Sequence, residues 1–203
     1  MRGAFVCFEG GDSVGKTTQV ALLAEWLERA CVPHLITRQP GGTAIGNELR
    51  RLVLDPEMGD VDPRAEALMY AADKAQHVHE VIRPALRRGD VVVTDRYVDS
   101  MIAYQGAGRA LGTEEIATIA SWAVGGLRPD LTVLLDADPE DAVATIVRKD
   151  RLEAAGDELH RRAREHFLEL AAADPDRYLV LNARRSREDI AAEVRRHVAA
   201  LLP

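Results

Sequence analysis

The sequence predicts an α/β fold in which a five-stranded parallel sheet is flanked by helices. Three observations carry the prediction. Apolar runs of strand length recur along the chain, and most are continuous rather than alternating, which suits strands covered on both faces. Segments of helical periodicity separate them, as crossover helices separate parallel strands. The first apolar run leads straight into Gly10-Gly11-Asp12-Ser13-Val14-Gly15-Lys16-Thr17, which fits G-x-x-x-x-G-K-[ST], and an amphipathic stretch with Val20, Leu23 and Leu27 follows.

The five strands are expected at Ala4–Phe8, His34–Thr37, Val91–Asp95, Leu131–Asp136 and Tyr178–Leu181. Asp62-Pro63 is a helix start, a capping residue followed by proline at the first position. The helix then runs through Ala65, Leu68, Ala72, Ala75, Val78 and Ile82, and Pro84 should kink or end it. Asp138-Pro139 repeats the start signal after the fourth strand. Ser186 with Asp189 resembles a capping box for a last helix carrying Ile190, Val194, Val198 and Leu201. No repeat, low-complexity tract or Pro/Ser-rich linker divides the chain, so residues 1–203 are expected to form one domain.

The net charge of −7 argues against a general nucleic-acid binder, which needs a basic face. No apolar run reaches membrane-spanning length, and Met1-Arg2-Gly3 leaves no room for a signal peptide. Cys7 and Cys31 lack metal-ligand spacing and read as buried, reduced thiols of a cytoplasmic protein. His77 and His79 fall on different helix faces and are no metal pair, while His34, His160, His166 and His197 are expected at the surface. Trp26 and Trp122 read as core or subunit packing.

The glycine loop carries the chemistry. Gly10, Gly11, Asp12, Ser13, Val14 and Gly15 can turn backbone N–H groups toward phosphate oxygens, and the helix opened by Lys16, Thr17 and Thr18 adds partial positive charge. Lys16 supplies a full charge, and the Thr17 hydroxyl can hold Mg²⁺. The loop alone does not choose among kinases, GTPases and motor ATPases. Three further clusters lie near strand ends, where open α/β sheets bind ligands. Thr37-Arg38-Gln39-Pro40-Gly41-Gly42-Thr43 sets a guanidinium fork at a tight turn, suited to a phosphate. Asp95-Arg96-Tyr97 closes the third strand, so Asp95 can act on a Mg²⁺ shell and Arg96 on phosphate. Ser100-Met101-Ile102-Ala103-Tyr104-Gln105 offers contacts for a sugar and a base edge. Gly106-x-Gly108 is no dinucleotide fingerprint, because no strand precedes it and Leu111 stands at the third glycine's place. The charge run Arg148 to Arg164 reads either as a solvated helical face or as a flap bringing Arg to a phosphoryl group.

Together these segments resemble thymidylate kinase. Phe8-Glu9-Gly10-Gly11-Asp12, the Arg38 turn, Asp95-Arg96-Tyr97 and Ala103-Tyr104-Gln105-Gly106 occur in that family's order, with Glu66-Ala67-Leu68, Ala72-Asp73-Lys74-Ala75-Gln76-His77-Val78 and Asp150-Arg151-Leu152-Glu153 as further support. The resemblance implies a nucleoside-monophosphate-kinase-like P-loop fold and transfer of the ATP γ-phosphate to dTMP with Mg²⁺. It implies catalytic roles for Asp12, Lys16, Arg96 and a lid Arg, Arg148 or Arg151, with Arg151 the better match through Asp150-Arg151-Leu152-Glu153, the lid spanning about 146–160. ATP would be held by residues 10–18, and Mg²⁺ by Thr17, Asp12 and Asp95. The acceptor region, about 38–109, would bind dTMP through Arg38, Pro40, Arg50 or Arg51, Tyr70 against the base, Lys74, Asp95, Arg96, Ser100, Tyr104 at the sugar and Gln105, with Glu9 nearby. A homodimer through the helices at 65–82 and 116–123 is implied too. Three positions depart from the family: Lys74 stands where Arg is usual, Gln39 where Glu is frequent, and Met101 where polar residues are common.

Overall fold

A computed structural model describes residues 2–109, 111–138, 150–152 and 156–202. Arg148, most of the expected lid and the helix signalled by Asp138-Pro139 lie outside the described residues.

Five strands form one sheet in the order β2-β3-β1-β4-β5. They are β1 (Phe5–Gly10), β2 (His34–Arg38), β3 (Val91–Asp95), β4 (Leu131–Asp136) and β5 (Tyr178–Asn182), and each pairing is parallel. The central strands β1, β3 and β4 are buried almost end to end, as their unbroken apolar runs require, whereas the edge strands β2 and β5 are only partly covered. Alternate residues of β1 serve opposite faces. Val6 and Phe8 meet Val20, Leu23 and Leu27 of α1 (Lys16–Arg29) and Ile190, Val194 and Val198 of the last helix, Arg187–Ala199. Phe5 and Cys7 meet Val78, Ile82, Leu86 and Tyr97 on the other side. Ser186 caps the last helix by accepting from the Asp189 N–H.

Between β2 and β3 the chain forms α2 (Ala44–Leu54), α3 (Pro63–His77) and α4 (Arg83–Arg88). Asp62 caps α3 by accepting from the Arg64 and Ala65 N–H groups. At Pro84, where a kink or an end is expected, the helical run is interrupted rather than ended. A π-helical turn, Val78–Ile82, joins α3 to α4, with the Arg83 N–H bonding to the Val78 carbonyl. The turn just before Pro84 widens to five-residue spacing, and Pro84 takes the second position of α4, where its missing N–H does no harm.

Within α3 the buried side carries polar residues beside Ala67 and Ala71, while Val78 and Ile82 beyond its end are buried in the core. Ala65, Leu68 and Ala72 are exposed, while Glu66, Tyr70, Asp73, Lys74 and His77 are buried. Of these, Tyr70 and Lys74 line a cavity. One expectation fails here: Cys7 is buried as expected but Cys31 is exposed, both thiols being free. Trp122, on α6 (Thr113–Ala123), is 82% exposed, so of its two readings core packing is excluded and subunit packing is left. Short α5 (Val98–Met101) passes into a π-helical segment, Ile102–Gly108, which packs against α7 (Asp157–Ala173). Among the described residues no helix is long and apolar enough to cross a membrane.

Candidate active site

The strand-to-helix turn after β1 accepts only glycine at its first position. Gly10 has φ 129°, and a Cβ there would lie 2.3 Å from the Leu135 carbonyl oxygen. The helix α1 starts at Lys16 with no side-chain cap and no acid in its first turn, so its first N–H groups and its positive end are left for a ligand. Lys16 folds back over the loop, its Nζ donating to the carbonyls of Gly10 at 3.2 Å and of Gly11. Burial, and then the nearby Arg96 guanidinium, pull its pKa down to about 8 despite Asp12, Asp95 and Glu9. A buried ammonium of this kind lacks negative charge, and a polyphosphate supplies it.

Sheet register places the other groups. Arg38 pairs with Asp95, and Asp95 with Phe8, so three strands end in one row. Arg96 follows in the left-handed region at φ 68°, which turns its guanidinium back over the glycine loop. It donates to Asp12 Oδ1 at 2.5 Å, to the Gly10 carbonyl at 2.9 Å and to Ser100 Oγ at 3.0 Å, and lies over the Tyr104 ring at 5.4 Å. Burial works to raise the Asp12 carboxyl, but Arg96, Lys16 and His160 outweigh it and hold it below its ordinary value. The Tyr104 hydroxyl donates to Asp12 Oδ2 at 3.3 Å. Tyr104 and Gln105 owe their inward placement to the π-helical segment, a geometry common at functional sites.

One cavity of about 760 Å³ connects the loop with the acceptor clusters. Asp12, Ser13, Lys16, Thr17, Arg38, Pro40, Arg50, Tyr70, Lys74, Asp95, Arg96, Ser100, Tyr104 and Gln105 all line it. Arg50 donates to the Pro40 carbonyl at 3.0 Å, and burial, then the Arg38 charge, lower its pKa. No carboxylate among the described residues forms an ion pair with either Arg38 or Arg50. Two close guanidinium groups with no ion-paired carboxylate among the described residues make a site for an anion. Thr17 Oγ1 donates to Asp95 Oδ2 at 2.9 Å, which sets two hard oxygen donors side by side at the loop. That pair fits Mg²⁺, which takes few protein ligands and completes its shell with phosphates and water. Asp12 fits the ion less well, because Arg96 and Tyr104 already occupy its oxygens.

A sequence model of the family described as Thymidylate kinase matches residues 8–194. The chain belongs to the thymidylate kinase family. It is 61% identical to a thymidylate kinase of Cutibacterium acnes over 202 residues, covering all of this chain and 99% of the relative. It is 53% identical to one of Clavibacter sepedonicus (100% of this chain, 97% of the relative) and 47% identical to one of Deinococcus radiodurans (95% of each).

Four family positions are placed otherwise than the motif alone suggests. Of the pair Arg50 and Arg51, Arg50 lines the cavity, while Arg51 faces solvent beside Glu48. Glu9 is wholly buried behind the cavity: its carboxylate accepts from the N–H groups of Tyr97 and Ser100 and from Ser100 Oγ, so it holds the Arg96 segment in place rather than touching a substrate. Thr18 is exposed on the first turn of α1. Arg151 points to the acceptor side. It pairs with buried Glu66, donates through Nε to the Val53 carbonyl at 2.9 Å, and its N–H reaches the Leu54 carbonyl. Gln105 and Arg109 also donate to Glu66, so one carboxylate ties α3 to the π-helical segment and to the Arg151 stretch. His160, expected at the surface, is 4% exposed, with Nδ1 4.0 Å from Asp12 Oδ2 and its ring edge-on to Tyr104. Glu66 stood in a family-like segment without an assigned role and His160 carried no sequence signal; their spatial neighbours reveal what they do.

Proposed function

We propose that this chain transfers the γ-phosphoryl group of ATP to dTMP, giving dTDP and ADP. The single cavity that joins the Lys16 loop to Arg38, Arg50, Tyr70 and Lys74 supports this reading most strongly, since a nucleotide-binding switch has no use for a second nucleotide pocket. Lys16 and the first turn of α1 hold the donor phosphates. Arg38 and Arg50 receive the acceptor phosphate, and Arg96, fixed by Asp12, stands between the two anions. Tyr70 stacks on the base and Tyr104 packs at the sugar. Asp12 keeps Arg96 oriented, and catalysis consists of positioning and charge neutralisation. Mg²⁺ would be held by Thr17 and Asp95 and would supply further positive charge at the donor phosphates.

A lid arginine, in the manner the resemblance implies, completes the charge, and the loop itself carries no Arg. Arg148, outside the described residues, and Arg151 are the candidates. Arg151 acts first as an anchor, and reaches phosphate only if it leaves Glu66. Arg151→Ala is therefore expected to lower stability by about 1–3 kcal/mol, less than the loss of a whole buried pair because Arg109 stays on Glu66. Urea denaturation beside kcat separates the roles: native stability with a collapsed kcat would make Arg151 a direct catalytic group.

The same reading treats residues 1–203 as one cytoplasmic kinase domain acting as a homodimer. Exposed Leu68 on α3 and Trp122 on α6, helices that pack together, support the dimer face. Coupled ADP release with dTMP, dUMP, dCMP, AMP and GMP tests the substrate assignment. Turnover is expected to be fastest with dTMP, and another monophosphate ranking first would end it.

A further inference from the structure

The buried face of α3 carries a chain of hydrogen bonds that phosphoryl transfer does not use. Lys74 Nζ donates to Gln39 Oε1 at 3.0 Å. An ammonium only donates, so the Gln39 carbonyl must face Lys74 and its amide nitrogen must face away. That nitrogen lies 2.9 Å from His77 Nδ1. An amide N–H also only donates, so Nδ1 is the bare ring nitrogen and the proton sits on Nε2. Nε2 in turn donates to Thr37 Oγ1 at 2.7 Å. The ring is fully buried, and burial followed by the Lys74 charge hold its pKa down to about 4, which keeps this tautomer neutral. Gly42 lets the Arg38 turn close over it: a Cβ there would sit 2.7 Å from His77 Nε2 and 2.9 Å from Thr37 Oγ1.

We propose that Thr37, His77 and Gln39 form a relay that aims the Lys74 ammonium at the base of the acceptor nucleotide, making His77 and Gln39 positioning residues for base selectivity rather than for phosphoryl transfer. The proposal rests on the dTMP reading above. A guanidinium presents a rigid fork, whereas an ammonium on a four-carbon stem has no preferred direction of its own. Gln39 takes one of its N–H donors and the Tyr70 ring, 6.0 Å away, flanks it, leaving the others to the cavity that Lys74 lines. Donors fixed there match a ring carbonyl oxygen and reject an exocyclic amino group, which brings donors of its own. A neutral amide at position 39 suits this task. It accepts from Lys74 without neutralising it, whereas a carboxylate would hold the ammonium in an ion pair and turn an oxygen lone pair toward His77 Nδ1.

The test is steady-state kinetics with dTMP and dCMP on native chain, Gln39→Met, His77→Leu and the double variant. Losing a hydrogen bond to a charged donor is expected to raise the dTMP KM about 10-fold in each single variant. The preference for dTMP over dCMP should fall by a similar factor, with kcat and the ATP KM within about two-fold of native. Because His77 acts through Gln39, the double variant should be no worse than either single one. Thr37→Val, the mildest change, should shift KM the same way by about 3-fold, and it keeps the comparison available if a larger substitution prevents folding. A loss of kcat with base preference intact, additive effects, or native KM in folded variants would overturn the relay alone. A native chain that does not turn over dTMP would overturn the substrate reading and the relay together.

Discussion

Lys16→Met is expected to lower kcat by roughly 10³-fold or more while making the protein more stable at neutral pH. The kinetic loss follows from removing the one full charge that the loop aims at the donor phosphates. The gain in stability follows from the environment of the ammonium. Its pKa falls from 10.5 to about 8, because burial and Arg96 disfavour the charged form more than Asp12, Asp95 and Glu9 favour it. At about 1.4 kcal/mol per unit, holding the ammonium charged in the empty site costs ~3 kcal/mol. Allowing for the lost hydrogen bonds to the Gly10 and Gly11 carbonyls, a net gain of about 1–2 kcal/mol remains. The pH dependence has a definite sign. Between about pH 8 and 10.5 the unfolded chain holds the Lys16 proton and the folded chain has released it, so this group makes stability rise with pH across that window. The variant loses that rise. Urea denaturation at pH 7 and pH 10 measures both effects. A less stable variant at pH 7 would show that the ammonium braces the loop rather than straining it.

Arg96→Ala is expected to damage rate, acceptor affinity and stability together. The guanidinium simultaneously holds Asp12, the Gly10 carbonyl, Ser100 and the face of Tyr104. Its removal leaves the largely buried Asp12 carboxylate without its main partner, at a cost of about 2–4 kcal/mol. The same change removes the cation between donor and acceptor phosphates, so kcat should fall roughly 10²–10⁴-fold with a higher dTMP KM. Arg38→Ala provides the contrast. Its guanidinium is exposed and has no carboxylate partner among the described residues, so the dTMP KM should rise with little change in melting temperature. Equal melting shifts in the two variants would mean that Arg96 does no more structural work than Arg38.

The parts legible in the sequence are those with short-range causes. The glycine loop, the strand cores and the Asp62 and Ser186 caps depend on residues a few positions apart, and the strands and caps stand where the local pattern puts them. Longer-range features were hidden. The spacing of Ala65, Leu68 and Ala72 marks a helix but not which side faces inward; in the fold the buried side carries Glu66, Tyr70, Asp73, Lys74 and His77, and the three apolar residues are exposed. Lone histidines default to the surface, but His160 is buried beside Asp12 of the distant glycine loop, and His77 by Thr37 and Gln39, 40 and 38 residues away. Arg50 and Arg51 are neighbours in sequence and separate only when α2 assigns them faces. Gln39 and Lys74 looked like two unrelated departures from the family pattern, and a 3.0 Å hydrogen bond makes them one unit.

The central claim is that donor and acceptor nucleotides meet end to end in the Lys16 crevice. A crystal structure with dTMP and a non-hydrolysable ATP analogue tests it most directly. The account predicts the thymine against Tyr70 beside Lys74, the dTMP phosphate on Arg38 and Arg50, and the analogue's outer phosphates on Lys16 with Arg96 between the two. A dTMP bound away from this cavity, or lying with its phosphate on Lys74 and its base on Arg38, would contradict it.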